Sequence, residues 1–446
     1  MKKNIKKNEL AIFGGKKTRV KNFFPRNTMG INEEKASKRV IKSGVLSGFI
    51  GGPGKYFNGG KEVIRFEKNF SKKLGHKYSI TTNSWTTGLQ TIVSSLDLND
   101  GDEIILPPYT MSACASIIIL NRCVPVFADI DKKRLTISPE SILKNITKKT
   151  RAIMVVHLLG CPAEMDKIMK IAKKYNLIVI EDAAQSPLCE FKNKSVCEFG
   201  EIGGYSLNFH KHIHTGEGGI IVTKNKSLAL KCQLIRNHGE NIELGKKNKF
   251  KVGTNFRFTE LQAAIANEQL KKLKLIVNKR QKLANILDRE LSKIKGLDIQ
   301  IIEKNSKHSY YMYPIFYDEK YFGIKRNIFV RAVNNELPIP RTWDETPLAE
   351  GYVKPLYLNP IYSDKKFFKD NLKKQNNFKY KKGICPNTED LYFNSLILTP
   401  LIHENSSPND IYDLIKAIKK VLNNIEKLKK IKSVKLFDPI QAINKN

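Results

Sequence analysis

The sequence lacks the features that mark membrane-spanning, secreted or metal-binding chains. No run approaches the roughly 18 apolar residues that a membrane helix needs, and no apolar segment follows the basic first residues, so we expect neither a membrane partner nor a signal peptide. The seven cysteines are odd in number and form no C-x-x-C pair, which argues against a disulfide framework and against a zinc or redox site. We therefore expect reduced, mostly buried thiols in a cytoplasmic protein.

Acidic residues are also scarce, because 43 Asp and Glu face 78 Lys and Arg and leave a formal net charge of +35. An excess of this size normally points to nucleic acid or an acidic membrane surface as a partner. Here the lysines are scattered along the chain as pairs, with no arginine-rich or aromatic-interleaved patch, so we expect solvated helix faces and no nucleic-acid partner. A nucleic-acid binder remains an alternative, which salt-sensitive retention on DNA would support.

A chain of 446 residues is too long for one hydrophobic core, and its first part has the rhythm of an α/β domain. Between about Gly75 and Val222, short apolar runs alternate with helical patterns. Buried strands are predicted at 104–106, 124–127, 153–156 and 177–180. A helical stripe between the last two strands is formed by Met165, Ile168, Met169 and Ala172.

The rest of the chain is predicted to begin a second domain. Thr259 is a plausible N-cap of a long helix, and Ser407-Pro408 opens a last amphipathic helix. The predicted division is an N-terminal segment (1–40), a large cofactor-binding domain (41–285), a small C-terminal domain (286–430) and a poorly ordered tail (431–446). The polar stretch 363–382 is predicted to be a surface loop.

The stretch from Ile178 to Gly219 carries the most chemistry. Asp182 follows an apolar strand, Ser206 supplies a hydroxyl, and Lys211 stands just before a glycine-rich turn. A pyridoxal phosphate enzyme needs this set: a carboxylate that keeps the pyridine nitrogen protonated, a phosphate anchor, and an amine that carries the cofactor as a Schiff base. Residues 83–89 add a helix start whose free amides can meet a phosphate dianion.

Two motifs in this stretch carry a family resemblance. E-D-A-A-Q at 181–185 and the block from Ser206 through Lys211 to Gly219 resemble the signature of the DegT/StrS group of PLP-dependent sugar aminotransferases of fold type I. The resemblance continues from about residue 10 to residue 421, nearly the whole chain. It implies an α/β fold, with a large domain built on a mixed, mostly parallel seven-stranded sheet, a smaller α+β C-terminal domain, and pyridoxal 5′-phosphate as cofactor.

The resemblance also implies roles for single residues. Lys211 would bind the cofactor and move a proton between substrate and cofactor carbons, and Asp182 would pair with the ring nitrogen. Where the family has Ser-Gly-Thr, this chain has Ser84-Trp85-Thr86, and the backbone amides there would still meet the phosphate. The remaining cofactor contacts would be Gln185 at the ring 3-oxygen, Ser206 at the phosphate and Tyr109 stacked on the ring.

Further matches concern a second subunit and the substrate. In Gly253-Thr-Asn-Phe-Arg257, the motif implies that Asn255 reaches the cofactor phosphate of a partner, which requires a homodimer with shared active sites. Arg257 either helps to hold an anionic group or forms a structural ion pair. Trp343, in the segment from Pro340 to Tyr357, is a candidate substrate platform, with domain packing as the plain alternative.

The flanking residues bear on the reaction. His210, His212 and His214 would share one face of a strand, but no acid or cysteine continues that register, so we expect no metal. Related sugar dehydratases carry histidine where this chain has Lys211, so transamination is favoured. The implied reaction moves an amino group from glutamate or glutamine to a keto sugar, nucleotide-linked and destined for surface polysaccharide. A keto-cyclitol acceptor, a PLP-dependent sugar dehydratase and a PLP-binding regulator without turnover remain alternatives.

Overall fold

A seven-stranded sheet forms the centre of the first half of the protein. The computed structural model describes residues 9–248, 250–338, 346–363 and 380–431. The strand order is β1-β9-β8-β5-β4-β2-β3, in which β9 is antiparallel to both neighbours and the other pairs are parallel. This is the mixed, mostly parallel seven-stranded sheet that the family resemblance implied. The strands up to β9, including a separate β6–β7 hairpin, are Tyr78–Thr82, Glu103–Leu106, Val124–Phe127, Thr150–Val156, Ile178–Asp182, Glu190–Phe191, Lys194–Ser195, Ile202–Ser206 and Gly219–Thr223.

Helices cover both faces of this sheet, because its strands are apolar on both sides. Helices α3 and α4 pack with Ile80, Ile180 and Ile221 on one face. The opposite face carries α5 and α6 at one end and α2 and α9 at the other, and the predicted Met165 and Ile168 stripe lies there. Helices α1 to α9 are Ile31–Ser43, Lys61–Leu74, Trp85–Ser95, Ala113–Leu120, Pro139–Asn145, Met165–Tyr175, Lys226–Arg236, Ile242–Asn248 and Glu260–Leu291.

The C-terminal part is an α+β unit with its own apolar core, as expected. Its four strands pair in the order β10-β11-β13-β12, with every pair antiparallel. Ser407 caps the predicted last long helix, and its Oγ accepts from Asp410 N. Strands β10 to β13 are Leu297–Ile299, Tyr313–Tyr317, Ala349–Glu350 and Leu396–Thr399; helices α10 to α15 are Glu319–Phe322, Arg326–Asn335, Pro360–Ser363, Pro386–Asp390, Pro408–Leu422 and Ile425–Leu428.

Helix α9 joins the two parts. It starts after Thr259, whose hydroxyl forms the predicted N-cap, and continues for 32 residues through position 285, where the sequence placed a domain boundary. The N-terminal segment crosses the junction as well, since Leu10 and Phe23 lie in the C-terminal core. The boundary at 285 stays a prediction. Trp343, nearly all of the predicted loop 363–382 and the tail after Ile431 lie outside the described residues.

Two further observations bear on the composition. Across the described ranges, no helix is both long and apolar enough to cross a membrane. All seven cysteines are buried free thiols, in line with the expectation of reduced, mostly buried thiols.

Candidate active site

The strand register brings the sequence motifs to one edge of the sheet. Thr82 at the end of β1 and Ser206 at the end of β8 both pair with Gly219 at the start of β9. Asp182, the last residue of β5, pairs with Gly204 of β8. The carboxyl ends of β1, β5 and β8 therefore lie side by side, where open α/β sheets place their ligands.

The first turn of α3 offers amide donors at this edge. Ser84 is the N-cap, and its Oγ accepts a hydrogen bond of 3.1 Å from Thr87 N. The amides of Trp85 and Thr86 belong to the first turn, which has no intrahelical acceptors for them. Gly219 fits directly beneath this turn, because a Cβ there would lie 2.7 Å from Ser84 O and Trp85 Cα. The start of α3 therefore packs closely against β9, where its free amides can bind a phosphate.

Lys211 lies in an irregular loop between β8 and β9 whose backbone is closed by hydrogen bonds. Lys211 N donates to Asn208 O at 2.9 Å, and Asn208 N donates to Ser206 Oγ at 3.2 Å. From the N-terminal segment, Arg26 Nη2 donates to Lys211 O at 2.8 Å. Lys211 and Ser206 line one narrow cavity together with Ala184, two residues after Asp182.

The Lys211 amine also meets the C-terminal part of the chain. Its Nζ lies 4.7 Å from the centre of the Tyr311 ring, a cation–π contact. The sequence gave no signal for Tyr311, because the contact joins residues 100 positions apart with no motif in common.

Asp182 is 4% exposed, and both of its oxygens are hydrogen-bonded. Oδ1 accepts from Trp85 Nε1 at 2.8 Å and from Ala184 N at 2.9 Å, and Oδ2 accepts from Cys114 Sγ at 3.2 Å. The sequence had pointed to the backbone amide of Trp85 as a phosphate donor. The structure adds a side-chain contact with Asp182 that sequence reasoning missed.

The neighbouring Glu181 supports the end of β5 from the other face. It is fully buried and accepts from His157 Nε2 at 3.0 Å and from the amides of Cys197, Phe199 and Gly200. Burial alone would raise the pKa of Glu181, but the hydrogen bond from His157 and the amides lowers it. The ionised Glu181 carboxylate therefore fixes the backbone at the end of β5, next to Asp182.

Gln185 and Tyr109 meet through a tyrosine of the C-terminal part. Gln185 Oε1 accepts from Leu159 N, and its Nε2 donates to Tyr352 Oη, both at 2.7 Å. Tyr352 N in turn donates to Tyr109 Oη at 2.8 Å, and the two rings meet edge to face at 5.9 Å. Burial raises the pKa of both tyrosines, so both remain neutral phenols. Tyr352 carried no motif and was not predicted.

The three histidines beside Lys211 do not share a strand face, because the segment between β8 and β9 is a loop. His212 is fully buried, with Nε2 at 2.8 Å from Ser309 O. Burial and the positive charges of Arg26 and Lys211 lower the pKa of His210 to about 4, and burial with the charge of Arg280 lowers that of His212. Among the described residues no group of three or more His, Cys, Asp or Glu could hold a metal.

The G-x-N-F-R segment lies next to the start of α3. Phe256 O accepts from Asn83 N at 3.0 Å, and the Asn255 side chain is exposed. Arg257 Nε donates to Asn237 Oδ1 at 2.8 Å, and within the described ranges Arg257 forms no ion pair with a carboxylate. Trp343 is outside these ranges.

The donor set fits pyridoxal 5′-phosphate. Lys211 and Ser206 line a narrow cavity, and the Asp182 carboxylate and the free amides at the start of α3 lie at the same edge of the sheet. These groups complement an aldehyde, a pyridine nitrogen and a phosphate dianion. Fold and site together define a fold type I PLP-dependent transferase.

Comparisons with known proteins agree. The model of the DegT/DnrJ/EryC1/StrS aminotransferase family matches residues 52–419. The chain belongs to this family and is a PLP-dependent aminotransferase. It is 33% identical to an uncharacterised protein of Methanocaldococcus jannaschii over 373 residues, and 28% identical to the spore coat polysaccharide biosynthesis protein SpsC of Bacillus subtilis over 376 residues. Both alignments cover 82% of this chain and 91% of the relative.

Among solved structures, the fold is similar to that of Helicobacter pylori PseC, an aminotransferase involved in the biosynthesis of pseudoaminic acid. The TM-score is 0.75 at 25% sequence identity, and the superposition covers 91% of this chain and 100% of PseC.

Proposed function

We propose that this enzyme transfers an amino group from glutamate or glutamine to the ketone of a nucleotide-linked sugar, for amino-sugar and surface-polysaccharide synthesis. The names of two similar proteins support the substrate class, since one belongs to spore coat polysaccharide synthesis and the other to pseudoaminic acid synthesis. The observation that carries the proposal is the strand register, which brings Asp182, Ser206 and the start of α3 to one edge of the sheet, next to the loop of Lys211.

Each residue of the site has a separate role in this reaction. When bound, pyridoxal phosphate supplies an electron sink for the carbon that loses its proton. Lys211 Nζ would hold the cofactor covalently in the resting enzyme. Once the amine of the donor has displaced it, the free Nζ would take the proton from the donor carbon and later return a proton to the acceptor carbon. The Asp182 carboxylate would pair with the ring nitrogen and favour its protonated form. The amides of Trp85 and Thr86 and the Ser206 hydroxyl bind the phosphate, while Gln185 and Tyr109 hold the ring.

The mass of the product, measured after incubation with an amino donor and a keto sugar, distinguishes the candidate functions. We expect the PLP-loaded protein with glutamate or glutamine to convert a 3-keto or 4-keto nucleotide sugar into its amine. Amination of a keto-cyclitol alone would favour the cyclitol alternative. Ketone-dependent loss of oxygen without gain of nitrogen would indicate a dehydratase. Cofactor absorbance without a response to either amino donor would indicate a PLP-binding regulator. Lys211→Ala should abolish the absorbance of lysine-bound cofactor, and its persistence would show that the lysine is misassigned.

A homodimer with shared sites is part of the proposal. Two exposed apolar segments flank the G-x-N-F-R motif, since Ile50 is 57% and Val252 is 94% exposed. Asn237 ties the motif to the first segment, because its Nδ2 donates to Ile50 O and to Phe57 O. An exposed apolar surface beside a site is typical of a subunit interface. A second copy of the chain would cover it and bring in Asn255.

Subunit mixing tests this arrangement. If Asn255 acts in the partner's site, a dimer of one Lys211→Ala and one Asn255→Ala subunit has one intact site and one site with both defects. Random mixing of two nearly inactive variants should therefore restore about one quarter of wild-type activity, since half of the dimers are mixed and half of their sites are intact. No recovery in a dimer would mean that Asn255 acts within its own subunit.

A further inference from the structure

The two oxygens of Asp182 are held unequally. Oδ1 has two nitrogen donors, Trp85 Nε1 at 2.8 Å and Ala184 N at 2.9 Å. In the described structure Oδ2 has a single donor, the Cys114 thiol at 3.2 Å, and a thiol is a weak donor. Burial and the charge of Asp182 raise the pKa of Cys114, so this group stays a neutral thiol. The carboxylate thus has one saturated oxygen and one with capacity to spare.

The Trp85 indole cannot easily turn away from Asp182. Trp85 is the first residue of α3, is 7% exposed, and lies against Gly204, where a Cβ would come within 2.5 Å of the indole ring. A Cβ at Gly88 would also come within 2.8 Å of the same ring. Because Gly204 pairs with Asp182 in the sheet, the glycine makes room for the ring directly beside the carboxylate.

We propose that Trp85 is a positioning residue, whose indole N–H fixes the rotation of the Asp182 carboxylate and leaves Oδ2 for the ring nitrogen of the cofactor. This inference rests on the proposed role of Asp182. A carboxylate that is already oriented before the cofactor arrives loses no further rotational freedom on binding it. Trp85 thereby acts through its side chain as well as through its backbone amide.

Trp85→Phe removes the N–H and keeps an aromatic ring. We expect the dissociation constant of pyridoxal phosphate to rise about tenfold, as for loss of one hydrogen bond to a charged group, and the pH titration of the lysine-bound absorbance to shift. Loss of packing alone would lower the melting temperature and leave that titration in place. Cys114→Ala, which removes the weak donor, should raise the constant less than about threefold.

Asp182→Asn separates this inference from the function on which it rests. If Asp182→Asn weakens cofactor binding strongly and Trp85→Phe changes neither affinity nor titration, the positioning role is wrong and the site stands. If neither variant has an effect, the assignment of Asp182 itself is wrong.

A measurement on a protein that keeps Trp85 avoids any folding defect of Trp85→Phe. The chain has two tryptophans, so a Trp343→Phe protein gives a single indole N–H resonance in ¹H–¹⁵N spectra. We expect this resonance to shift on cofactor loading and, without cofactor, on adding Asp182→Asn. A resonance that ignores Asp182→Asn would overturn the proposal.

Discussion

Replacing Gly219 by alanine should damage phosphate binding while leaving the catalytic lysine in place. The new Cβ would lie 2.7 Å from Ser84 O and from Trp85 Cα. Both are backbone atoms, so no side-chain rotation relieves the contact. Since carbon contacts are optimal near 3.5–4.0 Å, the start of α3 must move away from β9 by about 1 Å.

The magnitude follows from this displacement. Overpacking of this kind costs about 1–3 kcal/mol of stability. The shifted amides of Trp85 and Thr86 would lose part of a charge-assisted hydrogen bond to the phosphate, which corresponds to roughly a tenfold loss of affinity. Gln185 follows β5 and should be little affected, whereas the Trp85 indole moves with the start of α3, so its hydrogen bond to Asp182 should weaken as well.

Equilibrium binding of pyridoxal phosphate and of pyridoxal to the apoprotein measures the effect. Gly219→Ala should weaken binding of the phosphate ester about tenfold and that of pyridoxal less, since only the ester also loses its phosphate contacts with the helix start. Gly52→Ala is the matched control, because a Cβ there meets nothing within 4 Å. A folded Gly219→Ala protein with wild-type affinity for pyridoxal phosphate would refute the reasoning.

Two further predictions concern buried groups. Tyr352→Phe removes the acceptor of Gln185 Nε2, so it should lower the free energy of unfolding by about 1–3 kcal/mol and weaken cofactor binding. Denaturant titration measures the first effect and cofactor absorbance the second. A variant as stable as the wild type would contradict this prediction. Burial lowers the pKa of His308 to about 3 from 6.5, and its Nδ1 accepts from Tyr310 N. Below pH 6.5 the unfolded chain binds a proton at His308 that the folded chain does not bind. His308 should therefore lower the free energy of unfolding by about 1.4 kcal/mol per pH unit toward pH 3, and His308→Gln should reduce the slope measured in urea titrations by that amount.

Local signals were sufficient to predict much of the fold. Val124–Phe127 is a strand with the predicted bounds, because a short apolar run between polar segments has few other stable conformations. Thr259 was predicted as an N-cap, and its hydroxyl accepts from Gln262 N. Asp182 was placed after a strand and is its last residue. Periodicity and capping involve residues a few positions apart, so the sequence shows them directly.

Contacts between distant residues could not be predicted in this way. The indole of Trp85 reaches a carboxylate 97 positions away, and it fits only because Gly204 has no side chain. A tryptophan at a motif position that usually holds glycine was a signal of something unusual there, but the direction of its side chain depends on the sheet. Likewise, the spacing of His210 and His212 suggested a strand face, whereas Asn208 turns the chain into a loop.

Tyr352 makes the cofactor site depend on both halves of the molecule. Its Oη accepts from Gln185 and its N donates to Tyr109, while the preceding Gly351 N donates to Leu396 O of the C-terminal sheet. Gly351 adopts φ +75°, a conformation that favours glycine and aims the chain from that sheet toward the site. Two proposed ring contacts are thus fixed only when the C-terminal sheet is in place. A cofactor that needs both contacts stabilises this packing by mass action, so cofactor binding and the association of the two cores are thermodynamically linked.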